Sequence, residues 1–276
     1  MACTEHLACP VCGECLDDVD GGARCARGHA FDYARSGYLN LTDAGKGRGR
    51  VGDTAAMVAA RAEFLAAGHF QPLADAVAAA AATGDSAKGA MAEIGSGTGY
   101  YLAAAAERLR RDGADPSCAY GFDLSKAAAA HAARHHGELR FVVADAEVGI
   151  PLRDSTVGVA ISAFAPRPAA ELGRVVRSGG VLVVGLAGPR HLERLRDQLG
   201  LMDVHDDKLS RLGRRLAPWF EPLATEDVEF GLRLGGEDTR RLVLMGPNAR
   251  HDTELGALGP RHEDVASVIV ARYRRT

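Results

Sequence analysis

Four donor side chains near the start of the chain stand at fixed intervals: Cys9-Pro-Val-Cys12, twelve intervening residues, then Cys25-Ala-Arg-Gly-His29. A Cys-x2-Cys turn sets two thiolates on one side of an ion, and a Cys-x3-His turn completes a tetrahedron. This is the donor set and spacing of a structural Zn2+ site. Four protein ligands leave no open coordination position, so such a zinc would hold structure and carry no reaction. Cys15 repeats the same spacing from Cys12, and Cys3 lies nearby, so both remain alternative ligands. Pro10 and Gly13 favour Cys9 and Cys12 as the turn. A metal-free redox set of thiols is the bland alternative. Five of the six cysteines fall in the first 25 residues, a clustering that favours metal over disulfides in a reducing compartment.

A second constellation begins at Glu93-Ile-Gly95-Ser-Gly97-Thr98-Gly99-Tyr. Its glycines let the backbone turn tightly after a strand and approach a ligand closely. A GxGxG alone would also serve a nicotinamide dinucleotide, whose pyrophosphate sits at a helix N-terminus. Glu93 argues against that, because a carboxylate at the strand end repels phosphate and pairs with an ammonium group. The third glycine of GxGxxG is also missing. Asp123, 28 residues after Gly95, can accept from both hydroxyls of a ribose. Asp145 can accept from an adenine amino group, with the Ala146 backbone at the ring edge. Three acids after three successive strands fit S-adenosylmethionine. The plainer alternative makes Asp123 and Asp145 helix caps or turn residues.

The elements that must position these groups follow from periodicity. Short apolar runs alternate with helical segments: strands at Ala90–Ile94, Cys118–Phe122, Leu139–Val143, Val157–Ala163 and Val181–Leu186, and helices at Tyr101–Arg111, Lys126–His135 and Ala169–Val176. The alternation predicts an α/β fold, with right-handed crossovers and a doubly wound, mostly parallel sheet buried on both faces. Beyond Gly188, a helix over His191–Leu199 and strands over Val228–Leu234 and Ser267–Tyr273 are expected. The first forty residues are poor in apolar side chains and predict a small metal knuckle. Asp43 to Gly52 reads as a mobile basic linker. Asp53 to Ala82 predicts two helices broken near Gly68 and Pro72, with Asp53 or Thr54 as N-cap.

Composition limits what such a chain can be. Its 276 residues, 47% hydrophobic and 25% charged, suffice for one full-sized domain with a smaller attachment. No apolar run is long enough for a bilayer, and residues 1–10 lack the pattern of a secretory signal, so a cytoplasmic protein without membrane contact is expected. The formal charge of −3 gives no global attraction for nucleic acid, so any RNA contact needs a local basic surface. Lys46, Arg48 and Arg50 form the densest basic run and are the expected phosphate clamp, with a solvated tether as the alternative.

The order of these segments is similar to a known family. A zinc knuckle, GHAFDYARSGYLNL, RAEFLAAGHFQPL, EIGSGTGYY, GFDLSK, SAFAPR and AGPRHLERL together resemble the RlmA-type 23S rRNA (guanine-N1)-methyltransferases, one branch of which confers tylosin and mycinamicin self-resistance. Residues 90–186 also resemble class I methyltransferases in general, which implies seven strands with a reversed last one. The family resemblance implies an RNA-recognising zinc domain over residues 1–42, a basic linker and lid over 43–82, and a methyltransferase domain over 83–276. It implies 23S rRNA as partner, with a homodimer kept open. It further implies cofactor contacts at Phe70, Gly97, Thr98 and His191. Phe70 has a plainer alternative as a lid core residue, and His191 as an exposed helix start. Phe31, Tyr33, Arg35 and Tyr38 would face RNA or, for Phe31 and Tyr38, form a mini-core.

Phe164, in Ser162-Ala-Phe164-Ala-Pro-Arg167, lies where such enzymes hold the base and is the expected stacking partner of a guanine. Guanine N1 sits on the Watson–Crick edge, so the target must be unpaired or flipped. No Asn-Pro-Pro-aromatic motif is present, which argues against exocyclic-amine methylation. A small-molecule methyltransferase of natural-product biosynthesis is the main alternative. A noncatalytic zinc-dependent RNA-binding protein and a dehydrogenase are disfavoured by the three acids.

Overall fold

The computed structural model describes residues 4–42, 50–82, 89–114, 118–200, 207–246 and 259–276. Three short strands, β1 (Leu16–Val19), β2 (Gly22–Cys25) and β3 (Ala30–Asp32), form an antiparallel N-terminal sheet. Next come β4 (Leu39–Asn40), α1 (Ala55–Ala66) and α2 (Gln71–Ala81). The Thr54 hydroxyl oxygen caps α1 by accepting from the Met57 N–H at 3.3 Å, so the capping role falls to Thr54.

The alternating core is β5 (Ala90–Ile94), α3 (Tyr100–Arg111), β6 (Ala119–Asp123), α4 (Lys126–His135), β7 (Arg140–Val143), β8 (Val157–Ala163), α5 (Ala169–Val175) and β9 (Val176–Ala187). The remainder is α6 (Glu193–Leu199), α7 (Lys208–Leu216), β10 (Phe220–Gly235), α8 (Gly236–Leu244) and β11 (Arg261–Arg275). Every residue of β5 and β8 is buried, as expected of central parallel strands covered on both faces. The large sheet runs β10-β11-β9-β8-β5-β6-β7-β4, with β11 antiparallel to both neighbours. The doubly wound topology and the reversed strand match the expectation. The ends of β5, β6 and β8 converge where strand order turns back, which is where ligands bind such sheets.

The sheet has an eighth strand that the seven-strand expectation lacks. Leu39 and Asn40, from the end of the knuckle, pair in parallel with Val142 and Val143. Leu7 also bridges to Leu152. Leu7, Cys9, Leu16, Ala23, Cys25, Leu39 and Leu41 join one buried cluster with sheet residues such as Phe122 and Val142 and with Leu152 between β7 and β8. The knuckle therefore completes its core on the flank of the sheet. Arg174 fixes that flank: its guanidinium donates to the Ile150 and Leu152 carbonyls at 2.7 Å each, and pairs with Glu171 and Asp154.

Candidate functional site

The knuckle brings its four expected donors together. The ligand atoms of Cys9, Cys12, Cys25 and His29 all lie within 4.8 Å of one another. Two similar turns carry them. The Gly13 N–H donates to the Cys9 carbonyl and the Gly28 N–H to the Cys25 carbonyl, and both glycines take the left-handed conformation, at φ 77° and 87°. Cys12 Sγ is 3.7 Å from Cys25 Sγ, and His29 Nδ1 is 3.6 Å from Cys9 Sγ. A tetrahedron with Zn–S of about 2.3 Å has edges of roughly 3.8 Å, so the donors are spaced to fit Zn2+. Cys15 is exposed, bridges to Ala8 and stands outside the group.

The second site is a cavity of about 530 Å3 at the carboxyl ends of β5, β6, β7 and β8. Phe70, Gly95, Gly97, Thr98, Asp123, Asp145, Ala146 and Phe164, eight of the sequence-selected residues, all line it. The glycines are needed sterically. A Cβ on Gly95 would collide with the Ala165 side chain, and one on Gly99, which caps α3 at φ 81°, would lie 2.8 Å from Phe141. Asp123 shapes the loop as well as facing the cavity: its Oδ2 accepts from the Gly97 N–H at 2.8 Å and its Oδ1 from the Ser125 N–H at 2.7 Å. Burial raises its pKa, and those two backbone donors oppose the shift.

Asp145 is asymmetric. Its Oδ1 accepts from Arg50 at 3.2 Å and from the Glu147 N–H at 3.1 Å, whereas Oδ2 is buried with no partner among the described residues. A buried acceptor without a donor is costly, and a ligand donor would satisfy it. With this orphan, the glycine cradle and a volume inside the range of roughly 300–1,000 Å3 typical of ligand pockets, the cavity fits an adenosyl cofactor.

Glu93 stands one residue behind the wall formed by Ile94 and Gly95. It is buried, and its Oε2 accepts from the Leu102 N–H at 3.0 Å, fastening β5 to α3. Burial pushes its carboxyl well above the ordinary range. His191 also stays behind the lining. Its ring lies 5.7 Å from Phe164 and 6.3 Å from Phe70, and burial lowers its pKa to about 4. Phe70 is at once core and wall, packed edge-on against Phe64 and Phe230. Phe164 is 44% exposed with a left-handed backbone at φ 53°, so the loop presents an aromatic ring at the cavity mouth.

Sequence reading missed Arg61. It reaches from α1 over Gly97, donating to Asp53 at 2.5 Å and to the Met245 carbonyl at 2.6 Å. A lone arginine in an Ala-rich helix offers no motif. Of the expected clamp, Arg50 is paired with Asp145 and lies 3.9 Å from Glu147, while Lys46 and Arg48 lie outside the described residues. In the knuckle, Phe31, Tyr33 and Tyr38 are partly buried against the core and Tyr33 donates to Asp18 at 2.9 Å, while Arg35 is exposed.

A zinc knuckle and a glycine-loop cavity in one doubly wound chain define a zinc-containing methyltransferase. Residues 7–46 match the family described as RlmA, N-terminal, and residues 91–180 match the methyltransferase domain. The 23S rRNA (guanine(748)-N(1))-methyltransferase of Streptomyces fradiae is 40% identical over 89% of this chain and 86% of its own length. A Micromonospora griseorubida protein provisionally assigned the guanine-N1 activity is 39% identical over 98% of this chain and 97% of its own. The chain belongs to the RlmA-type 23S rRNA (guanine-N1)-methyltransferase family. Its fold also matches a chain of the Haloferax volcanii complex between the Trm112 methyltransferase activator and a methyltransferase. That match has a TM-score of 0.53 and 15% identity, covering 82% of this chain and 99% of the other.

Proposed function

We propose that this chain transfers a methyl group from S-adenosylmethionine to N1 of a guanine in a domain II hairpin of 23S rRNA, the guanine corresponding to position 748 in the name of the Streptomyces fradiae relative. The observation that carries the reading is the meeting, in one cavity, of the glycine loop, Asp123 and the orphaned Asp145 Oδ2 beneath the outward Phe164 ring. When bound, the cofactor's sulfonium supplies an electrophilic methyl. Asp123 has lone pairs beyond those given to Gly97 and Ser125, and these accept the ribose hydroxyls. Asp145 Oδ2 accepts from the adenine amino group, and the Ala146 backbone meets the ring edge. Arg61, poised over Gly97, would meet the cofactor's carboxylate, and Glu93, bonded to the Leu102 N–H behind the wall, would shape the ammonium's end of the cavity without touching it. Phe70 and His191 back the methyl-bearing side.

Phe164 stacks on the flipped guanine and turns its Watson–Crick edge inward. N1 carries its proton in the ring plane, at the position the methyl must take, so that proton would pass to water as the bond forms, and a bound cofactor would supply the methyl and leave as a neutral thioether. Rate acceleration comes from alignment and desolvation, and the loop Ser162–Arg167 carries no obvious general base. Higher identity to the two actinomycete relatives than to a Bacillus subtilis one, 30% identical, supports placement in the macrolide self-resistance branch. A ribosomal substrate implies a cytoplasmic enzyme, and no described helix is long and apolar enough to cross a membrane. The proposal includes a homodimer, checked by light scattering against the chain mass of 29.0 kDa.

The test is incubation of the zinc-loaded chain with methyl-labelled cofactor and unmethylated 23S transcript, followed by mapping. Label at guanine N1 in the domain II hairpin is expected, as is raised tylosin tolerance in a sensitive host expressing the chain. Label confined to a small molecule, with none in RNA, would favour the natural-product alternative.

A further inference from the structure

Although the chain is net negative, a group of cations beside the mouth goes without described acidic partners. Arg167 follows the Phe164 loop, and its Nη1 is buried with no hydrogen-bond partner among the described residues. Arg196, on α6, donates through Nη2 to the Pro189 carbonyl at 2.8 Å, but its buried Nε has no partner there. Arg215, on α7, reaches back to the Arg167 carbonyl at 3.4 Å. Lys208 opens the same helix, whose apolar side is buried through Leu212 and Leu216.

These groups feel one another. Burial and the charge of Arg215 lower the Arg167 pKa, and burial with the charges of Arg167 and Arg196 lowers that of Lys208. No described carboxylate forms an ion pair with any of the four. The buried Asp264 is engaged by the Leu195 and Val265 N–H groups and by His262. Packed like charges and unfilled donors destabilise a fold unless an anion answers them. His191 joins the cluster to the mouth, since its ring tilts against Phe164.

We infer that Arg167, Arg196, Lys208 and Arg215 form a binding site for the phosphodiester backbone of the RNA strand, adjoining the base held at Phe164. The inference rests on the RNA reading of the cavity. The site differs from the clamp expected at Lys46, Arg48 and Arg50, because it is assembled from α6, α7 and the segment after β8. It explains how a chain of net charge −3 holds a polyanion: the attraction is confined to the flank of the reacting base.

The experiment measures binding of a 23S domain II hairpin by the zinc-loaded full chain across a salt series, with cofactor affinity measured in parallel. Arg196→Gln with Lys208→Gln should weaken RNA binding about tenfold and lower the salt slope by roughly one for each phosphate no longer neutralised. S-adenosylmethionine affinity should stay unchanged, and the melting temperature should hold or rise as the repulsion between the cations is relieved. Arg167→Lys, which keeps the charge, should retain the slope, and it tests the half-buried position without removing the cation. Inorganic phosphate should not compete detectably at concentrations that leave ionic strength unaltered. RNA affinity and slope unchanged in the double variant overturn the site, as does saturable binding of inorganic phosphate that leaves RNA binding untouched. A wild-type chain that neither binds nor methylates the hairpin is a separate result. It removes the guanine-N1 reading, and the phosphodiester site with it.

Discussion

In the knuckle, β1, β2 and β3 are four, four and three residues long, and β3 has no buried residue. In the large sheet, β5 and β8 are buried along their whole length. The first region depends on coordination of four side chains for its shape, and the second on removal of apolar surface from water. The two means meet at a seam, where Leu7 and Leu39 from the metal-held part sit at 2% and 1% exposure among sheet residues. Coordination fixes the knuckle's interior, but its outer half is finished by the sheet. The knuckle is thus attached by packing as well as by chain.

Removing the metal should separate the two regions most sharply. Cys25→Ser, Cys9→Ser, Cys12→Ser or His29→Ala should each abolish stoichiometric zinc and unfold the knuckle. Structural zinc carries an apparent folding energy of roughly 10–16 kcal/mol. Cys15→Ser should keep the metal. Elemental analysis finding zinc in Cys25→Ser but none in Cys15→Ser would reverse the ligand assignment.

The seam comes next in size. Leu39→Ala should destabilise the chain by about 2–5 kcal/mol, as for other fully buried leucines. The chain's single tryptophan, Trp219, lies against α5 in the sheet region and reports its unfolding. A Trp219 denaturation midpoint identical to wild type would show that the knuckle is merely tethered.

Within the cavity, Asp123→Ala should weaken S-adenosylmethionine binding by roughly 1–3 kcal/mol, the range for losing hydrogen bonds to a charged acceptor. Zinc content should be unchanged. Calorimetry with equal affinity would sink the ribose assignment, and loss of zinc would mean that the two regions are coupled more tightly than the seam suggests.

The effect that vanishes at neutral pH is a pH dependence confined to the sheet region. His191 is lowered from 6.5 to about 4 by burial and by Arg196, so its neutral form is the one the fold accepts. Its contribution is complete above about pH 6.5 and is lost as pH falls toward 4. The loss is about 2 kcal/mol at pH 5. Melting of wild type and His191→Gln at pH 7.5 and pH 5 isolates this term from the other histidines. Equal pH dependence in both proteins would contradict the burial of a neutral ring.

The sequence made the two ends of this comparison legible to different depths. The metal ligands could be read individually, because coordination needs particular atoms at particular intervals. Strands β5 to β8 could be read from apolar runs, and the acids at their ends from position. The short β4 could not, since two residues carry no period and Leu39–Asn40 is a strand only because Val142 and Val143 lie beside it. Helix α7 was missed because its Lys and Arg residues outnumber its buried leucines. Glu93 was visible as an acid, but its bond to the Leu102 N–H depends on how α3 leaves the loop. Arg61 was invisible for the same reason: its partners Asp53 and Met245 are brought to it by tertiary packing.

Phe164 holds a left-handed backbone at φ 53°, a conformation that costs a residue with a Cβ roughly 1–2 kcal/mol and costs glycine almost nothing. Laboratory evolution for thermal tolerance alone would therefore be drawn toward Phe164→Gly, which relieves the backbone strain and discards a half-exposed ring. The selected population would become sturdier while losing the ring proposed to stack on the guanine. A screen that alternates heat challenge with a methylation readout should retain the aromatic. The frequency of glycine at this one codon under the two regimes would then measure how much stability the protein forgoes for its reaction.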